Sequence, residues 1–318
     1  MDETGLIAAA RAGDADAFGR LAGGYRRELH AHCYRMLGSV HDAEDAVQES
    51  LVRAWRGLGT FTTGSIRPWL YRIATNRCLT LIEQRSRREL PADLSPGAPL
   101  TEVAWLEPYP DRLLGPEASA EQREGVGLAF VAALQHLSGS QRAILVLREV
   151  LGFSAAEVAA QLGTTVAAVN SGLQRARGAL ARRRPRPGHP VTGDKIKSLA
   201  DRYAAAWESA DVDTIVALLT DDATYSMPPL PQWFRGPDAI RAFLRDGPLT
   251  HQWRFLPAGA NGQLAFGTYL RDGERFVWAG LDVLRLDGDR VAEVVSFLTP
   301  GLQADVGLPD EFRRPPGL

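Results

Sequence analysis

The forty residues from Gln141 to Leu180 constrain this chain more than any other stretch, because they spell two short helices joined by a break of a few residues. Ser154 is a natural N-cap with Glu157 three residues on, and Ala155, Val158, Ala159 and Leu162 follow at helical spacing. Gly163 can close that helix in the left-handed conformation, and Thr164 or Thr165 can cap the next one. In the second helix Val166, Val169, Leu173, Ala176 and Leu180 form one apolar stripe. This turns Ala167, Ala168, Asn170, Ser171, Gln174, Arg175 and Arg177 outward. Six arginines and no carboxylate lie between Ser171 and Pro187. A helix-turn-helix followed by unopposed positive charge suits the groove and phosphates of duplex DNA. The alternative is a helical hairpin whose basic face is merely solvated.

Length and composition set the outer limits. A chain of 318 residues holds two or three domains. Its 45% hydrophobic and 23% charged residues belong to an ordinary soluble protein. No apolar run is long enough to span a bilayer and no signal peptide is visible, so a cytoplasmic protein without a membrane partner is expected. Cys33 and Cys78 form no CxxC pair, and His30, His32 and Cys33 lack further ligands nearby, so neither a metal nor a cofactor is expected. The net charge of −2 hides a division: residues 1 to 190 carry 23 basic against 20 acidic side chains, and the remainder 13 against 18. Two parts of opposite charge face different partners.

The first ninety residues read as several packed helices, interrupted near Gly13-Asp14, Gly23-Gly24 and Gly38-Ser39. In the helix opening at His41-Asp42, Ala43, Ala46, Val47, Ser50, Leu51, Ala54 and Trp55 face a core, while Asp42, Glu44, Asp45, Gln48, Glu49 and Arg53 line the outside. From Arg67 to Arg88, Trp69 and Tyr71 are interleaved with six arginines, and Arg72, Asn76, Thr80 and Gln84 recur about one turn apart. Aromatic rings beside arginines suit unpaired bases and their backbone; the competing reading puts Trp69, Leu70 and Ile73 in a core.

The runs DAEDAVQESLVRAW at Asp42 to Trp55 and PWLYRIATNRCL at Pro68 to Leu79, followed by the helix-turn-helix, resemble regions 2 and 4 of an extracytoplasmic-function (group IV) sigma factor of RNA polymerase. The resemblance covers about the first 187 residues. It implies that Asp45, Gln48, Glu49 and Arg53 bind core RNA polymerase at the β′ clamp helices. It further implies that Arg72, Asn76, Thr80 and Gln84 lie beside the melted −10 strand of promoter DNA. Thr165, Ala168, Asn170, Ser171, Gln174, Arg175 and Arg177 would enter the −35 major groove. Many sigma factors of the group carry lysine and arginine where Asn170 and Gly172 stand, so base preference is not carried over. Gly172 invites close approach of the backbone to DNA.

Between these parts, Pro91 to Pro116 holds six prolines and cannot be one helix. Yet Trp105, Leu106, Tyr109, Leu113 and Leu114 are too apolar for a plain spacer, and WLEPYPD, with Trp105, Leu106, Pro108 and Asp111, resembles the regulatory linker of sigma factors with a C-terminal extension. It either folds onto its own domain or docks on another. After Pro185 to Gly193 the composition changes, and both lysines of the chain, Lys195 and Lys197, open a new domain. Helices are expected over Ile196 to Thr220 and Asp238 to Arg245. Alternating strands are expected at Gln263 to Leu270, Arg275 to Leu286 and Arg290 to Leu298, with hairpins at Asp272-Gly273 and Asp287-Gly288. The element order resembles the SnoaL-like (NTF2-like) superfamily.

The expected fold is therefore multidomain: an all-α helical bundle (1–92), an acidic Pro-rich linker (93–121) and a helix-turn-helix (122–187), followed by an α+β SnoaL-like cone (195–318). Regulation in cis by the cone is expected, with an unknown small ligand as a possible occupant. The alternative function is a DNA-anchored enzyme or ligand sensor, with Asp222, His251 and Asp282 as acid–base candidates and Tyr225, Trp233 and Trp278 as walls.

Overall fold

The computed structural model describes residues 2–61, 64–84, 88–89, 104–115, 123–181 and 193–313. The chain forms two compact units, residues 1–88 with 113–184 and residues 89–112 with 185–318.

The first unit is helical. Side chains cap its opening helices: Asp2 caps α1 (Glu3–Arg11), Asp14 caps α2 (Ala15–Leu37) and Ser39 caps α3 (Val40–Gly57), each accepting a hydrogen bond from a first-turn amide. Gly38, at φ 71°, takes the left-handed turn that ends α2 and lets α3 fold back on it. With α4 (Ile66–Gln84) these helices bury Leu29, Tyr34, Met36, Val47, Leu70 and Ala74.

The second segment of this unit contributes α5 (Leu128–Gln135), α6 (Gly139–Leu145) with a π-turn over Val146–Val150, α7 (Ala155–Leu162) and α8 (Val166–Ala181). Two buried arginines tie the segments together: Arg35 donates to the Gly125 carbonyl at 2.8 Å, and Arg142 donates to the carbonyl of Met36 as well as to those of Gln135 and Leu137. Burial pulls the Arg142 guanidinium down to about 10, which still leaves it charged at neutral pH. The carbonyls around it supply the acceptors that make burying the charge tolerable.

The second unit is α+β, as the order of patterns implied. Helices α9 (Gly193–Glu208), α10 (Val212–Ala217) and α11 (Pro237–Asp246) accompany strands β1 (Leu219–Ser226), β2 (Trp233–Arg235), β3 (Trp253–Ala260), β4 (Gln263–Asp272), β5 (Arg275–Asp287), β6 (Arg290–Phe297) and β7 (Glu311–Arg313), with a short α12 (Leu302–Val306) before the last. The sheet order is β2-β1-β6-β5-β4-β3, with β7 also pairing β5, and only β1 and β6 run parallel. Tyr203 and Trp207 of α9 pack with Phe255, Phe266, Leu284 and Val294 of the sheet to form the core.

The hairpins at Gly273 and Gly288 are present, with φ values of 60° and 59°. Four strands escaped the sequence reading: β1 begins inside a stretch expected to be helical, and β2, β3 and β7 were not anticipated.

Candidate nucleic-acid interface and regulatory strap

Helix α3 presents Asp45, Gln48, Glu49 and Arg53 to solvent, as its periodicity predicts. Glu49 is not a bare charge: Arg77 of α4 lies 2.7 Å from it and Arg53 3.5 Å. Asp45, Gln48 and Glu49 border a depression of about 150 Å³ together with Asp42, Arg77 and Leu81. Asp42 departs from expectation. It is buried, ion-paired to Arg88 at 2.8 Å, because a partner from 46 residues away covers it.

On α4, Arg72, Asn76, Thr80 and Gln84 are all exposed along one face. Trp69 is half-buried 5.5 Å from Phe61, and it borders a cavity of about 360 Å³ lined by Arg53, Gly57, Thr60, Arg72, Ile73 and Asn76. An aromatic wall beside arginine and asparagine can stack an unpaired base and hydrogen-bond its edge. Tyr71 cannot share that work, since it is fully buried. Its hydroxyl donates to Glu28 at 3.1 Å, its ring meets Phe153 edge-on at 5.3 Å, and burial first, then the Glu28 charge, pushes its phenol up. Arg67 lies over both Tyr71 and Phe153, at 5.0 and 4.9 Å from the ring centroids, and pairs with Glu28.

The helix-turn-helix forms as spelled. Ser154 and Glu157 make the reciprocal capping box, Gly163 takes φ 63°, and the Thr165 hydroxyl accepts from the Ala168 amide at 3.1 Å. Thr165, Ala168, Asn170, Ser171, Gln174, Arg175 and Arg177 are exposed together on α8. Arg175 donates to Ser171 at 2.6 Å, and Arg177 is paired with Glu149. Two expectations fail here. Val166 is 44% exposed rather than part of the apolar stripe, and Gly172 is buried against α6, where a β-carbon would stand 2.6 Å from Ile144 Cδ1. Helix–helix packing, not approach to DNA, explains that glycine. The arginines at 182–186 lie outside the described residues.

The WLEPYPD segment joins the second unit. Leu106 and Tyr109 are fully buried and Trp105 is half-buried. Tyr109 and Asn261 exchange hydrogen bonds: the Asn261 amide donates to the Tyr109 carbonyl at 2.7 Å, and the Tyr109 amide donates to the Asn261 carboxamide oxygen at 3.0 Å. Pro108 is buried as well, and Pro110 forms a bridge to Ala260. Asp111 accepts from the Gly262 amide at 2.7 Å, and Arg112 pairs with Asp305 at 3.2 Å. Asn261 and Gly262, at φ 58° and 66°, form the two-residue turn between β3 and β4. Of the alternatives left open by its composition, docking is the one realised. The Asn-Gly dipeptide between alternating residues was the available signal for its receiving turn.

Of the acid–base candidates, Asp222 and His251 are exposed, whereas Asp282 is 1% exposed in the core of the second unit, so the three do not converge. Tyr225 is buried, and Trp233 and Trp278 are half-buried. Among the described residues no group of three or more His, Cys, Asp or Glu is arranged to hold a metal ion, and no helix is long and apolar enough to cross a membrane.

A helical unit that carries a helix-turn-helix and an exposed polar row on α4, followed by an α+β unit, has the make-up of a helix-turn-helix protein with an appended domain. Comparison with known proteins names its family. Residues 21–88 match the Sigma-70 region 2 model, residues 127–180 the Sigma-70 region 4 model and residues 200–294 the SnoaL-like domain model. The chain is 45% identical over 306 residues to the ECF RNA polymerase sigma factor SigG of Mycobacterium tuberculosis, an alignment covering 91% of this chain and 83% of that protein. It is 32% identical over 172 residues to the ECF RNA polymerase sigma factor SigW of Bacillus subtilis, covering 53% and 89% respectively. The crystal structure of the Mycobacterium tuberculosis extracytoplasmic function sigma factor SigJ shares the fold, with a TM-score of 0.65 at 24% identity over 90% of this chain and 98% of that one. The chain belongs to the ECF RNA polymerase sigma factor family, and its function is that of a sigma factor in transcription initiation.

Proposed function

We propose that this sigma factor holds core RNA polymerase through the outer face of α3, with Asp45, Gln48, Glu49 and Arg53 meeting the β′ clamp helices. The face of α4 carrying Arg72, Asn76, Thr80 and Gln84 reads the melted −10 strand, with Trp69 as a stacking wall. The recognition helix α8 enters the −35 major groove with Thr165, Ala168, Asn170, Ser171, Gln174, Arg175 and Arg177. In this reading the protein is a cytoplasmic, non-enzymatic initiation factor, and the second unit regulates it in cis through the Trp105–Asp111 strap. The separation of Asp222 and His251 from Asp282 favours this over a DNA-anchored enzyme.

The observation that carries the regulatory part is the pairing of Tyr109 with the Asn261 turn. It makes the segment connecting the two DNA-reading modules part of the cone's own packing. Any change in the cone that releases the strap lengthens the free tether between the modules. Promoter-directed transcription by core polymerase with the wild-type chain and with Tyr109→Arg tests it. Output that differs between the two supports regulation through the strap, and identical output across protein concentrations refutes it.

A further inference from the structure

The exposed face of α8 is not uniform. Val166, Asn170 and Gln174 stand four residues apart and are all exposed, so they form one row along the helix. Beside this row lie Ser171, Arg175 and Arg177, and there the cations are occupied. Arg175 donates to the Ser171 hydroxyl at 2.6 Å, and Arg177 pairs with Glu149 of the π-turn. The Asn170 and Gln174 carboxamides have no hydrogen-bond partner among the described residues, so each keeps its acceptor oxygen and both N–H donors. Val166 offers only methyl groups, at a place where the core does not claim them.

The rise of an α-helix puts successive members of the row about 6 Å apart. A base-pair step of B-form DNA is about 3.4 Å, so in a major groove each side chain addresses a base pair of its own. What it meets there differs by base. Adenine presents N7 as an acceptor and its N6 amine as a donor, which one carboxamide matches in a bidentate pair. Guanine presents two acceptors, against which a carboxamide oxygen has nothing to accept. Thymine alone carries a methyl group, which the valine side chain can cover. A phosphate is a poorer counterpart for these amides, because it sets negative charge beside their acceptor oxygens, whereas arginine meets it with donors only.

We propose that Val166, Asn170 and Gln174 form a base-reading row selective for A·T pairs. Asn170 and Gln174 each take an adenine through N7 and N6, and Val166 covers a thymine methyl group. The two adenines stand about two base-pair steps apart, as the spacing of the carboxamides requires. This rests on the reading of α8 as the −35 helix and adds to it the base class that the helix prefers.

The test uses core RNA polymerase carrying the full-length chain to select binding sequences from a randomised duplex library, and then alters the upstream element of the selected DNA atom by atom. Two A·T pairs about two steps apart are expected there. Replacing one adenine by 7-deazaadenine removes N7 and should weaken binding about tenfold, the scale of one disrupted bidentate pair. Replacing the thymine by deoxyuridine removes the methyl group and should weaken it about fourfold. Each loss should vanish in the matching variant: Asn170→Ala or Gln174→Ala for an adenine, Val166→Ala for the thymine. All three substitutions fall on exposed positions of a helix and introduce the residue that helices favour most, so the fold is retained. A G·C-rich upstream element, analogue losses that persist in the variants, or variants that weaken every duplex alike would overturn the proposal while leaving α8 as the −35 helix. Binding that does not depend on the upstream sequence at all would overturn both.

Discussion

Tyr109 and Asn261, 152 residues apart, are joined by two hydrogen bonds of 2.7 and 3.0 Å, so the connector between the segments that match sigma regions 2 and 4 is stitched to the hairpin turn of the second unit. Beside them Gly259 faces Asp111 so closely that a β-carbon would stand 2.8 Å from Asp111 Oδ2. Gly259→Ala should loosen the strap, and Asp111→Ala should loosen it by about 1–3 kcal/mol through the unpartnered Gly262 amide. In the Asp111→Ala background the 2.8 Å contact with Oδ2 is gone and only the 3.2 Å approach to the β-carbon of residue 111 remains, so the two effects should be less than additive. Protease cleavage rates between residues 104 and 115, measured for all four proteins, report that coupling.

The packing of Gly172 against Ile144 yields a reversible prediction. Gly172→Ala gains about 1 kcal/mol of helix propensity, but the contact 2.6 Å from Ile144 Cδ1 should outweigh it, for a net loss of about 1–2 kcal/mol. Valine lacks that δ-carbon. Adding Ile144→Val should therefore recover most of the stability lost in the single variant, as read by the midpoint of denaturant unfolding.

How much of this was legible beforehand varied with the kind of interaction. Helix faces were legible: the exposed rows Arg72–Asn76–Thr80–Gln84 and Thr165–Arg177 follow from a period of 3.6 residues alone. Periodicity gives an angle and not a partner, which is why Asp42, covered by Arg88, and Gly172, covered by Ile144, were misassigned. The same limit hid the burial of Tyr71, which depends on Phe153 arriving from the other segment. Strand β3 contains Pro257 and Gly259, residues that argue against a central strand. It lies at the sheet edge, where a missing donor is tolerated. Strand β1 carries Asp221 and Asp222 on its exposed side and resembles the end of a helix.

Two buried groups give the two units opposite responses to acid. Burial, with the Arg35 and Arg67 charges, lowers His32 to about 3, so the first unit has its full stability above the unfolded histidine value near 6.5 and loses it as pH falls toward 3. Burial raises Asp282 to about 7, so the second unit is fully stable below the unfolded value of 3.8 and loses stability as pH rises toward 7. Each effect amounts to about 1.4 kcal/mol per pH unit inside its window. Calorimetry between pH 7 and pH 5 should show one transition falling and the other rising, and Asp282→Asn should flatten the second.

Arg175 is the exposed arginine of α8 whose only described partner is the Ser171 hydroxyl. If it contacts a phosphate, Arg175→Ala should weaken −35 duplex binding similarly across sequences. The logarithmic salt slope should then fall by about one. Fluorescence anisotropy across a salt series measures both. A change confined to one base position would instead assign Arg175 to base readout.

The most direct measurement is promoter-directed run-off transcription by purified core RNA polymerase supplemented with this chain, alongside Glu49→Arg. The wild type should form a stable complex with core enzyme and start transcripts at a defined position. The reversed charge on α3 should abolish both while leaving the fold intact. Failure of the wild type to bind core polymerase, or initiation unaffected by Glu49→Arg, would contradict the account.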